Sequence, residues 1–196
     1  MRFFVVLLAL TLAPSASLAA GPAMAPENVI DVAVGDWNKD GKPDLALLAV
    51  TSADDVAIGV YLYLREDNGL LKLALAAPDK VWGSAHGGIA GQEPGLKALP
   101  NGSIAITEQN SAIGRDRWEQ TRTLAYRNGQ FVVAGYTFSS YDTVQELPPL
   151  NCDLNLLSGK GTLNGKPVAF AARTIALQDW KEEAGSNPGL VICRKK

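Results

Sequence analysis

Four Asn-Gly pairs, Asn68-Gly69, Asn101-Gly102, Asn128-Gly129 and Asn164-Gly165, constrain the fold of this chain more than any other feature. Both residue types accept the positive φ of a tight reversal, which most side chains resist. Short runs rich in β-branched and aromatic residues flank these pairs. Val56 to Leu64 and Leu70 to Ala76 flank the first, Leu96 to Leu99 and Ser103 to Thr107 the second, and Thr121 to Arg127 and Gln130 to Tyr136 the third. A period of two on either side of such a turn predicts an antiparallel hairpin. The expected fold is therefore all-β, an antiparallel meander of hairpins arranged as a partial propeller-like stack or a curved sandwich. A closed propeller needs at least four blades of four strands, at about 40–45 residues per blade, and no repeat of that length recurs. Helical character is confined to Leu177 to Ala184, ending at Gly185. Residues 77–95, rich in Gly, Pro and small polar residues, read as a long loop, and residues 108–118 as a second polar connection.

One segment carries a different message. Asp36-Trp37-Asn38-Lys39-Asp40-Gly41-Lys42-Pro43-Asp44 places side-chain oxygens at alternate positions, then a Gly where the chain must turn, then a further carboxylate. A hard cation such as Ca2+ takes about 6–8 oxygen ligands at roughly 2.3–2.6 Å, and one tightly turned loop can supply most of them. The segment is not an EF-hand. The position that would need a bidentate Glu is Leu47, and the flanks, Val29 to Gly35 and Leu45 to Val50, read as short strands rather than helices.

With its flanking strands this segment, "DVAVGDWNKDGKPDLALL", resembles the FG-GAP/VCBS repeat found in integrin α-subunit propellers and many exported bacterial proteins. The resemblance covers about residues 29–50. It implies that Asp36, Asn38, Asp40 and Asp44 bind calcium with the backbone carbonyl of Lys42, as a structural clamp. The alternative reading is a polar turn with no metal. The family's activities are too diverse for the resemblance to imply one.

The chain opens with Met1-Arg2, an apolar run from Phe3 to Ala13, and small residues through Ala20. That order of basic, apolar and small-residue regions is a secretory signal, with cleavage expected after Ala19. Residues 20–196 are then expected to form a single β domain of an exported protein, periplasmic or secreted, of bacterial type. No later segment reaches the ~18 consecutive apolar residues of a membrane span. Without residues 1–19, Lys and Arg number 17 against 20 Asp and Glu, and the basic side chains are dispersed. This is no footprint for nucleic acid. The two cysteines, Cys152 and Cys193, are expected to form a disulfide in an exporting route.

Catalytic patterns are sparse. His86, the single histidine, lies in a Gly-rich stretch, and no G-x-S-x-G elbow is present. One His and two paired Cys do not make a zinc site. Glu93, Glu108, Glu119 and Glu146 are candidates for a glycosidase pair, although the default reading is surface carboxylates. Trp118, beside Arg115-Asp116-Arg117, reads either as a recognition surface or as a buried Trp next to a surface Arg–Asp network. The resulting expectation is a calcium-stabilised, non-enzymatic β domain that binds a protein or glycan in the cell envelope. The alternatives are an envelope hydrolase with a carboxylate acid/base pair and a periplasmic inhibitor or immunity protein.

Overall fold

The computed structural model of the protein describes residues 24–50, 57–85, 89–145, 148–181 and 187–194. The first twenty residues, where a secretory signal is expected, and His86, Glu146 and residues 182–186 lie outside these. The chain forms two antiparallel sheets. The first joins β1 (Val29–Gly35), β2 (Asp44–Ala49), β3 (Ile58–Arg65) and β4 (Leu71–Val81) in sequence order. The second runs β5 (Gly95–Ala98), β6 (Ile104–Asn110), β7 (Asp116–Arg127), β8 (Gln130–Asp142), β9 (Leu150–Asn155), β10 (Lys160–Leu163) and β11 (Lys166–Ala169), again in sequence order, with β12 (Ile175–Ala176) pairing β8. The expected all-β meander is thus the observed architecture.

The Asn-Gly pairs act in two ways. Asn128 and Gly129, like Asn164 and Gly165, both have positive φ and join β7 to β8 and β10 to β11 through two-residue reversals. At the other two pairs only the Gly is left-handed, at φ 82° for Gly69 and 79° for Gly102, and the loops are longer.

The two sheets meet over one core. Leu48, Val60, Leu62 and Leu75 from the first pack with Ile104, Ile106, Leu124, Val133 and Leu154 from the second. β1 and β5 lie side by side, and the Asp31 carboxylate accepts the Leu96 N–H at 2.6 Å, stitching the two edges together. On the outer side of the first sheet Leu47, Ala49 and Tyr61 form a small second cluster, which is why β2 reads as an almost unbroken apolar run.

Three expectations about local structure are corrected. The loop expected to begin at residue 77 begins after Val81, because β4 continues through a bulge at Pro78-Asp79, where Asp79 has φ 57°. β4 is an edge strand, so Pro78 removes no ladder hydrogen bond that the sheet needs. The second polar connection shrinks to residues 111–115, since β6 and β7 run on with polar residues. The expected helix over 177–184 is, in its described part, a 3-10 turn at Leu177–Asp179 followed by extended Trp180. Trp180 turns its side chain into the core, 1% exposed. The one described α-helix, α1 (Pro188–Cys193), comes later. Among the described residues no helix is long and apolar enough to cross a membrane.

β7 and β8, of 12 and 13 residues, are the longest strands. The C-terminal segment packs against the middle of this ribbon. Trp180 stacks on Tyr136 at 5.6 Å, and α1 presses Gly189 against the Tyr136 ring. The expected disulfide joins Cys193 to Cys152 on β9, with Cα atoms 5.5 Å apart.

Candidate functional site

The ladder between β6 and β7 carries a buried polar cluster. On the core-facing side of β6 and β7, Ile104 and Leu124 stand opposite each other, then Ile106 and Arg122, then Glu108 and Gln120, then Asn110 and Trp118. The face therefore changes from apolar to ionic to aromatic along the strands. Glu108 and Arg122 are each 1% exposed and ion-paired. Gln120 donates to the second Glu108 oxygen, and its own carbonyl accepts from the Tyr136 hydroxyl at 2.9 Å and from the Arg194 guanidinium. The Trp82 N–H, at the end of β4, points to Glu108 at 3.3 Å.

Aromatic side chains frame this network. Trp82 is 44% exposed and lies 4.8 Å from the half-buried Trp118 ring, tilted by 49°. A cavity of about 800 Å³ opens between Trp82, Glu108, Arg122, Trp180, Lys80 and Lys181. A second hollow of about 330 Å³ lies on the other side of Trp82, against Trp118, Gln120, Phe138 and Arg194. Concave sites with aromatic walls and a few buried polar groups are the usual form of small-ligand sites. The arrangement offers flat apolar faces for stacking and planar polar groups for directed hydrogen bonds.

Glu108 thus departs from its reading as a surface carboxylate. Glu119 lies one residue from Gln120 and faces the opposite side of the sheet. Gln109, opposite Glu119 in the ladder, donates to Glu93 at 3.4 Å. The backbone N–H groups of Glu93 itself and of Gly91 hold the Glu93 carboxyl below the usual carboxylate range. Glu108 and Glu119 therefore do not face one another across a common cleft. Trp118 is half-buried, and Arg115 pairs with Asp142 at 2.6 Å, not within an Arg115-Asp116-Arg117 network. The signal for the cluster was present: Gln120 and Arg122 occupy the same alternation as the buried Leu124.

The 36–44 loop joins β1 to β2 and is closed by its own carboxylates. Asp36 accepts the N–H groups of Asp40 at 3.0 Å and Gly41 at 2.9 Å. Asn38 and Asp40 accept those of Asp40 and Lys42. Asp44, 1% exposed, accepts the Trp37 N–H at 2.9 Å and the Arg65 N–H at 2.8 Å, and so ties the loop to β3. Lys39 and Gly41 take positive φ, 63° and 84°, which gives the chain its sharp turn. The Lys42 N–H holds the Asp40 carboxyl below its usual pKa, and the Asp67 carboxylate raises that of the Lys42 ammonium. Among the described residues no three His, Cys, Asp or Glu side chains are gathered as a metal set. The oxygen donors suit a hard cation by type, and each carboxylate oxygen bonded to one N–H retains a second lone pair.

Comparison with known proteins finds no matching protein family, no matching curated protein and no matching solved structure.

Proposed function

We propose that this protein is an exported, non-enzymatic binding domain of the cell envelope that takes a glycan along Trp82, in the hollows bordered by Trp180 in one part and Trp118 in the other. The observation that carries this reading is the Trp82–Trp118 pair beside the buried Glu108–Gln120–Arg122 network. Pyranose rings present a flat C–H face that packs on indole and hydroxyl edges that bond planar amide, carboxylate and guanidinium groups. A protein ligand, the other partner expected for such a domain, needs a broad surface of about 800 Å² per partner, whereas the aromatic and polar groups here are gathered in an open cleft.

The FG-GAP-like loop serves this reading as a clamp. Asp36, Asn38, Asp40, Asp44 and the Lys42 carbonyl would hold calcium, which would stiffen the β1–β2 reversal. Export rests on the basic, apolar and small-residue order of the first twenty residues and agrees with a disulfide.

Titration of the exported protein with neutral cellotetraose and chitotetraose, followed by calorimetry, tests the reading. Binding to at least one, weakened tenfold or more by Trp82→Ala or Trp118→Ala with folding retained, is the expected result. Binding unaffected by either substitution would remove the cleft from the function.

A further inference from the structure

Resting on the glycan reading of the cleft, we infer that its C-terminal half is a subsite for an acidic sugar, a uronic acid unit read by Arg194. Arg194 follows the last residue of α1. Its guanidinium carbon lies 5.0 Å from the Phe138 ring centre and 5.9 Å from that of Trp118, and one of its N–H groups is held by the Gln120 carbonyl. Two ring faces and an amide therefore fix the orientation of the guanidinium. A pre-oriented guanidinium is the protein group best matched to a planar carboxylate, because its forked donors reach both oxygens.

The position of Arg194 is covalently enforced. Cys152 stands opposite Phe138 in the β8–β9 ladder, and its disulfide to Cys193 sets the next residue over that ring. The hollow beside it, about 410 Å³, is lined by Trp118, Phe138, Ser140 and Leu150 among others. It shares the walls Trp118, Phe138 and Arg194 with the 330 Å³ hollow, so Arg194 borders both. The charged groups facing it are Arg194, Arg117, Asp116 and Asp142. Asp142 is neutralised by Arg115 at 2.6 Å.

The test compares tetraglucuronate with its full methyl ester by calorimetry at low ionic strength and fixed calcium. Esterification removes the charge and leaves the ring. The wild type is expected to bind the acid at least tenfold tighter than the ester. Arg194→Gln is expected to bring the two within about twofold by weakening the acid alone, with an unchanged thermal midpoint as the folding control. Cys152→Ser/Cys193→Ser should lose the same preference. Equal wild-type affinity for acid and ester, or a preference that survives Arg194→Gln, overturns the subsite and leaves the glycan cleft standing. Tetraglutamate binding as tightly as tetraglucuronate overturns it in favour of a peptide ligand. Failure of both sugars to bind sinks the subsite, and the cleft reading then stands or falls with the neutral tetrasaccharides.

Discussion

Glu108 and Arg122 form a buried ion pair on the diagonal of the β6–β7 ladder, one step apart in register and each 1% exposed. Two charges removed from water recover their desolvation only if both stay in place. Removing one partner leaves the other unpaired in a low-dielectric site. Glu108→Ala is therefore expected to lower stability by about 3–5 kcal/mol, whereas Glu108→Leu with Arg122→Met should cost much less. Urea unfolding of the single and double variants checks this. Equal losses would show that packing, not charge, holds the pair.

Gly35 lies beneath Trp37, and a Cβ at this position would stand 2.2 Å from two carbons of the indole. Trp37 is 2% exposed and has little room to move. Gly35→Ala should destabilise by about 1–3 kcal/mol through overpacking. Thermal unfolding, with Trp37 fluorescence as a local probe, reads both the loss and its site.

If the 36–44 loop holds calcium only when folded, the thermal midpoint rises with calcium concentration. The gain at one hundred times the dissociation constant is about 2.7 kcal/mol. Asp36→Ala and Asp40→Ala should remove the calcium dependence. A melt in chelator and across a calcium titration distinguishes this from a metal-free turn, for which neither protein would respond.

Asp142 is held down to a pKa of about 2, first by the Arg115 guanidinium and then by the N–H groups of Gln145 and Val144. A depressed folded-state pKa means a stabilising contribution that is complete above the ordinary pKa of 3.8 and is lost as pH falls toward 2. Carboxyl carbon chemical shifts followed by NMR should give Asp142 a midpoint well below the free value. Arg115→Gln should move that midpoint upward.

Cys152–Cys193 closes a separation of 41 residues. Its removal by Cys152→Ser/Cys193→Ser should cost about 2–4 kcal/mol. Hydrogen exchange should accelerate first in α1. Its faces against Tyr136 and β9 lose their tether, whereas the β3–β4 hairpin should be unchanged.

The two-residue reversals at Asn128-Gly129 and Asn164-Gly165 were legible because their positive φ is a local requirement that few other residues meet. The disulfide was legible because two cysteines allow one pairing. The continuation of β4 past Pro78 was not, because tolerance of a proline depends on whether the strand is an edge. The length of β6 and β7 was also hidden. Residues 108–110 of β6 and 116–118 of β7 are mostly polar or charged where a covered strand would carry apolar residues, and so they read as a connection.

Local chemistry, then, was determined by the sequence alone: alternation, turn residues, the run of oxygens at 36–44 and the pairing of two cysteines all act over a few bonds or admit one solution. Tertiary structure decided the cleft. Trp82, Glu108, Trp118, Trp180 and Arg194 come from five separate segments, and they meet because the end of the first sheet packs on β6 and β7 and a disulfide holds the C-terminal segment against β9. Which buried polar groups face one another depends on strand register and on what covers each face, quantities that exist only once the chain has packed.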